Sequence, residues 1–228
     1  MVTPSMLDRL MGDTDPFDYS PQEIKQLWWF RDGSIMSVEI RERLWQGRGL
    51  CYRHAWGYAL LEIEMMSARA FSTAILYADF TDRAAKLLAA KRSFGRRPKL
   101  RASGPCLTCD HLQATAHQSL TGAEWPRGSE VVNRGQNTRL LVGWCEPTWR
   151  AASCPDCLGG SGPTCRPHLI AGATPSAEIS ETLAALAGRL EPLVSSMTVD
   201  RTDIGDSERS SWIEAIGWFT GWRPGGAP

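Results

Sequence analysis

No charge of one sign dominates this chain: 25 Lys and Arg stand against 25 Asp and Glu over 228 residues. A domain built to bind nucleic acid would carry a basic excess, so nucleic acid is not an expected partner. Long hydrophobic runs are missing as well. The best candidate, residues 55–61, is closed by Glu62, far short of the roughly 20 apolar residues that a membrane span needs. The first 17 residues hold three Asp and no apolar centre, so no signal peptide is expected. Absent too are a Gly-rich phosphate loop, a Gly-x-Ser-x-Gly elbow, a His-Glu-x2-His helix and any internal repeat beyond short Cys/His pairs. The lack of a membrane span and of a signal peptide points to the cytoplasm, a reducing compartment where cysteines act as metal ligands or redox groups rather than as disulfides.

What the sequence does have is seven cysteines and ten tryptophans. Six of the cysteines fall into pairs or half-pairs with ligand spacing. Cys154-Pro155-Asp156-Cys157 is followed, seven residues later, by Cys165-Arg166-Pro167-His168. Two thiolates separated by two residues can grip one ion from a tight knuckle, and Pro167 suits the first turn of a helix, which would set Cys165 and His168 on one face. Three sulfurs and one imidazole make a closed set of the kind found in structural zinc sites. A second set has the same halves in reverse order: Cys51-Tyr52-Arg53-His54, then Cys106-Leu107-Thr108-Cys109 after 51 intervening residues. Either knuckle could join either Cys-x2-His pair, with the short spacing favouring Cys154 and Cys157 with Cys165 and His168. Zinc is the expected metal because each set contains a histidine, and an iron–sulfur cluster is the chemical alternative.

The pattern around these residues predicts a mainly α fold with an irregular Cys-rich, zinc-binding insert. Ser20-Pro21-Gln22-Glu23 carries a cap residue, Pro at the first helical position and Glu at N3, which together predict a helix start. Asp32-Gly33-Ser34 should break that helix, and a second helix through Ile35, Val38, Ile40 and Leu44 should end near Gly47 and Gly49. Trp56, Leu60, Ile63, Met66, Ala70, Ala74 and Tyr77 share one helical face, predicting one long helix or two with a bend near Ala78 and Asp79. Residues 130–132 and 138–144 could form a small β-hairpin, and 111–120 a short helix. Helical spacing returns over 178–197, and a last helix should start at Asp206 or Ser207. The expected organisation is a helical region with a basic linker (1–105), the Cys/His insert (106–175) and C-terminal helices packing back on the core (176–228).

Several residues of this sequence resemble a known family. Gly-Leu-Cys-Tyr-Arg-His-Ala-Trp (49–56), Ala-Ile-Leu-Tyr-Ala-Asp-Phe (74–80), the later Cys-x2-Cys and Glu-Arg-Ser-Ser-Trp (208–212) look like an uncharacterised bacterial helical Cys/His family, a domain of unknown function. The likeness covers residues 35–117 and the last helix, and it implies metal-binding helices with no known activity. This chain departs from the pattern by lacking a Cys-x2-Cys before Cys51 and by carrying the extra cluster at 154–168.

Other candidates have ordinary explanations beside the functional ones. Cys145 is the one thiol outside the sets; as a reactive thiolate it would need an activating partner such as His117 or an Arg, and otherwise it is a core cysteine. His111 is a spare ligand near Cys109 or a surface residue. Lys91, Arg92, Arg96, Arg97, Lys99 and Arg101 could contact phosphate, or simply solvate a linker. Asp200, Asp203 and Asp206 could offer oxygen ligands, or serve as turn and cap residues. Trp28, Trp45, Trp56, Trp212 and Trp218 are expected in the core, while Trp28–Trp29 and Trp218–Trp222 could each leave one indole on the surface as a protein-binding anchor. The preferred function is a non-catalytic interaction or accessory protein. Its rivals are a metal-dependent enzyme in small-molecule biosynthesis, with an open coordination position at the upstream set, and a thiol redox sensor.

Overall fold

The computed structural model of the protein describes residues 19–65, 69–89, 99–115, 135–199 and 203–222. Among the described residues there are eleven α-helices, one short 3-10 turn and no strand. In chain order the helices are α1 (Pro21–Arg31), α2 (Val38–Gln46), α3 (Tyr52–Met65), α4 (Phe71–Ala89), α5 (Leu107–Thr115), α6 (Gln136–Trp144), α7 (Glu146–Ala151), α8 (Pro155–Leu158), α9 (Arg166–Ala171), α10 (Ile179–Val199) and α11 (Asp206–Thr220). None of them is long and apolar enough to cross a membrane.

The start of α1 is the capping box that the sequence spells out. The Glu23 amide donates to the Ser20 hydroxyl, and the Glu23 carboxylate accepts from the Ser20 amide. Helix α10 lies along α4 in the most extensive contact of the molecule, and α11 packs on both. The stripe that makes this possible is Ile179, Leu183, Leu186, Leu190 and Leu193, all buried, at steps of four, three, four and three. Pro192 sits inside α10, where it has no N–H to donate to the carbonyl of residue 188. Aromatic rings fill the centre: Tyr77, Phe80 and Phe219 meet pairwise at centroid distances of 5.7–6.2 Å.

The expected bend at Ala78 and Asp79 is not where the chain breaks. Helix α3 ends at Met65 and α4 begins at Phe71, and Asp79 lies mid-helix in ion pairs with Arg41 and Arg83. The break is made by Glu62, buried near the end of α3, whose carboxylate accepts the amides of Ser72 and Thr73 and the Thr73 hydroxyl at the start of α4. The hairpin reading is also overturned for its second half. Residues 138–144 belong to α6, because the buried Glu64 carboxylate accepts the Thr138 amide and hydroxyl, each at 2.8 Å, and caps a helix there. Residues 130–132, the other half, lie outside the described residues.

Close approach of α1 and α3 depends on Gly57. A Cβ at this position would sit 2.6 Å from the Tyr19 ring and 3.0 Å from Leu27. Tyr19 is pinned from two sides, since its hydroxyl donates to the Arg53 carbonyl and the Arg53 guanidinium lies 4.5 Å over its ring. Gly57→Ala is therefore expected to destabilise the protein by about 1–3 kcal/mol, the usual range for overpacking, measured by chemical denaturation. A neutral or stabilising result would show that the interface yields more readily than this geometry implies.

Candidate metal centres

Four short segments carry the six paired cysteines and two histidines, and each is built the same way. Cys154 and Cys165 are the N-caps of α8 and α9, which places Cys157 and His168 at N3. The Cys51 carbonyl accepts the Ala55 amide at the head of α3, and the Cys106 carbonyl accepts the Asp110 amide at the head of α5. His54 and Cys109 are thus N3 residues too. These are the same two positions that Ser20 and Glu23 occupy in the capping box of α1. In a helix start the N-cap and N3 side chains fold toward one another over the first turn, so each Cys-x2-Cys or Cys-x2-His pair becomes a pre-shaped two-pronged grip. The neighbouring sulfurs and burial push the Cys51 and Cys165 thiols up, and the first-turn amides of His54 and His168, oriented to favour negative charge, work against that rise.

Helix starts then meet in twos. In the first centre the His54 Nδ1 lies 3.3 Å from the Cys51 sulfur, 3.5 Å from Cys106 and 3.3 Å from Cys109, and the sulfurs of Cys51 and Cys109 are 3.8 Å apart. In the second the His168 Nδ1 lies 3.5 Å from Cys154, 3.6 Å from Cys157 and 3.2 Å from Cys165, with Cys157 and Cys165 sulfurs 3.7 Å apart. Within each centre all four donor atoms lie within 4.8 Å of one another, an arrangement that could hold a metal ion. The two alternative pairings left open by the sequence are thereby reduced to one. All seven cysteines are free thiols.

Crowded sulfurs share protons unequally. A hydrogen bond from Cys51 pulls the Cys106 thiol down against the opposing effect of burial, with His54 helping, while Cys51 itself is pushed up. In the second centre a hydrogen bond from Cys165 lowers the Cys157 thiol, again against burial, and Cys165 rises. The thiolate is the form that binds metal.

The surroundings differ. At the first centre, His54 turns its other ring nitrogen to Glu23, with Nε2 3.2 Å from Oε1. The same carboxylate takes two hydrogen bonds from the Arg53 guanidinium, at 2.6 and 3.1 Å, besides capping α1. Burial works to raise the Glu23 carboxyl, but the hydrogen bonds from His54, Arg53 and the Ser20 amide outweigh it and hold the group well below the usual carboxylate range. At the second centre, Arg166 donates to the carbonyls of Phe219 and Leu100, and Trp218 Nε1 donates to the Thr164 carbonyl, so α11 is laced to the loop between the two grips. A Cβ at Gly162 in that loop would overlap the Ala152 carbonyl. The cysteines of the first centre are half-buried, whereas Cys154 and Cys165 are 0% exposed and Cys157 6%.

The remaining candidates stand apart. Cys145 caps the end of α6 and the start of α7, buried, and desolvation pushes its thiol up to about 11. His111 is exposed and stacks on Trp29 of α1, with ring centroids 6.4 Å apart at 15°, outside the donor set. His117, Asp200 and the basic residues 91–97 lie outside the described residues. Lys99 and Arg101 are exposed, and Asp206 opens α11 in the first-turn position of an acidic helix start. Among the described residues, no group of three or more metal-type donors forms besides the two Cys/His centres. Trp56, Trp212 and Trp218 are core residues as expected, with Trp28 and Trp45 packed partly against it. Trp29 keeps an exposed face, but Trp218 and Trp222 are both buried, the latter stacked on Trp149 at 5.5 Å. Trp144, at the end of α6, is 71% exposed.

What local sequence reasoning missed is Glu23 as a partner of His54. Its signal was present in the capping box, but a carboxylate at N3 was fully accounted for by its own helix. No family model matches the chain, and no curated protein or solved structure matches it either.

Proposed function

We propose that this chain is a zinc-binding helical protein in which both Cys3His centres are structural, and that it acts as a non-catalytic interaction or accessory protein. The observation that carries this reading is the spacing of the donors. A tetrahedral zinc ion about 2.3 Å from sulfur and about 2.0–2.1 Å from nitrogen has edges of about 3.8 Å between sulfurs and about 3.6 Å between sulfur and nitrogen. In each centre one S···S pair matches the sulfur–sulfur edge, Cys51–Cys109 at 3.8 Å and Cys157–Cys165 at 3.7 Å, the S···N separations are 3.2–3.6 Å, and all four donors lie within 4.8 Å of one another. An iron–sulfur cluster, with several irons and bridging sulfides, spreads its protein ligands wider than a single ion does.

Closure of both sets argues for a structural role. Four protein ligands leave no position for substrate, and three thiolates donate enough charge to make zinc a poor Lewis acid toward water. A cavity of about 310 Å³ lies beside the loop of the second centre, yet none of its lining residues is a metal ligand. Its charged residues, Arg189 and Glu214, are engaged with each other at 2.5 and 3.0 Å. The exposed indoles of Trp29 and Trp144 suit a protein partner, because a rigid ring buries a large area at small entropic cost.

Cobalt substitution tests the reading directly. Two equivalents of Co(II) should give an intense tetrahedral thiolate spectrum that does not change on addition of azide or cyanide at modest excess. A five-coordinate spectrum, or one that shifts with added anion, would establish an open position and favour an enzyme. Absence of stoichiometric metal would remove the reading altogether.

A further inference from the structure

The two centres share one donor set but differ in exposure and in what they join. The second closes a short loop, Cys154 to His168, and its three sulfurs are 0–6% exposed. The hydrogen bonds of Arg166 and Trp218 tie its loop to α11. The first joins the head of α3 to the head of α5 across more than fifty residues, and all three of its sulfurs are half-buried. Helix α1 is attached to it through Glu23, and Trp29 of α1 stacks on His111, two residues beyond Cys109.

Resting on the reading of both centres as zinc sites, we infer that the first centre is an oxidant-sensitive clasp: hydrogen peroxide joins Cys51 to Cys109 and expels the metal there, while the second centre keeps its own. The Cys51 and Cys109 sulfurs, 3.8 Å apart, come from different helices and need only close the remaining gap once the ion leaves. The chemistry balances without a further reagent. One thiolate attacks the peroxide O–O bond, forming a sulfenic acid and releasing hydroxide; the second thiolate attacks that sulfur and displaces the sulfenic oxygen as hydroxide. Two electrons pass from the two sulfurs to peroxide, two protons from solvent complete two waters, and zinc, left with His54 and Cys106, departs as the hydrated ion. Loss of the ion frees His54 from its fixed ring position against Glu23, so the α1–α5 surface bearing Trp29 and His111 is the part of the molecule that changes. Peroxide and the displaced thiolate both need access, which the second centre denies.

The test uses the full chain loaded with zinc and treated with a small molar excess of hydrogen peroxide. Zinc release is followed with a chromogenic chelator, and cysteine states by differential alkylation and peptide mass mapping. One equivalent is expected to leave at least roughly tenfold faster than the other, with a Cys51–Cys109 disulfide and with Cys154, Cys157 and Cys165 unmodified. Reductant and added zinc should reverse the change. Cys145→Ser should release zinc identically, since Cys145 belongs to neither set. Simultaneous loss of both equivalents, earlier loss from the second centre, a different disulfide, or suppression of release by Cys145→Ser would each overturn the inference. A chain that never binds zinc would fail at the underlying reading instead, and one that holds two equivalents unchanged by peroxide would fail at the inference alone.

Discussion

Replacing Cys157 with serine is expected to remove one metal equivalent and to lower stability by several kcal/mol, a loss comparable with the whole net stability of about 5–15 kcal/mol typical of a domain. The elements it holds cannot stand by themselves: α8 has four residues and α9 six, well below the length at which an isolated helix persists. Binding a structural zinc contributes about 10–16 kcal/mol of apparent free energy in small zinc modules, and here it is exerted across a 15-residue loop. A serine hydroxyl is a far weaker zinc ligand than a thiolate, and the second centre would keep only three strong donors. The damage should be directional. Protection against hydrogen exchange should fall over the loop of the second centre and at the C-terminal end of α11, which reaches that loop through Arg166 and Trp218, but not at the head of α3. Metal analysis that still finds two equivalents in Cys157→Ser would exclude Cys157 from the ligand set.

The parts of this molecule that were legible in its sequence are those governed by residues near one another in the chain. The capping box of α1, the buried stripe of α10 and the two-pronged ligand pairs all follow from offsets of three and four, which are local geometry. The misread parts have a common cause. The break after Met65 and the start of α6 are both set by carboxylates capping a helix from outside it: Glu62 on Ser72 and Thr73, and Glu64 on Thr138, 74 positions away. A buried Glu two residues from another in an apolar helix reads as an interruption, not as the cap of a distant element. Thr138, Leu140 and Val142 alternate like a strand, yet Val142 is the apolar residue buried in α6, while Leu140 and Trp144 share an exposed face four residues apart. The pairing of the four ligand grips was undecided for the same reason. Spacing shows that a grip exists; only tertiary packing shows which grip it faces.

Glu23→Gln should affect both a helix and a metal. The Glu23 carboxylate receives four hydrogen bonds, from Arg53 Nε, Arg53 Nη2, His54 Nε2 and the Ser20 amide. With His54 Nδ1 directed at the sulfurs, the ring proton must sit on Nε2, so Glu23 fixes the tautomer that binds metal and raises the basicity of the ring. Glutamine matches the shape but offers one acceptor oxygen, and its amide would point N–H groups at N–H donors. Weakening of metal binding by about 10–100-fold is expected at one centre only, as for other partners of ligating histidines. Stability should fall by about 2–3 kcal/mol, combining a weakened cap with a charge pair that is half open to solvent on its Arg53 side. The sign of the pH dependence follows from the lowered carboxyl. Its contribution is complete above the ordinary carboxylate value and disappears as pH falls through the lowered folded value, so with zinc removed the gap between the two proteins should narrow in acid. Ser20→Ala separates the two roles: it removes the hydroxyl half of the capping box, costs about 1 kcal/mol and should leave metal affinity unchanged. Competition titration with a zinc chelator decides the matter. Equal affinity of Glu23→Gln and the unaltered protein at both centres would reduce Glu23 to a helix cap, and loss at both would mean that the two centres fold as one.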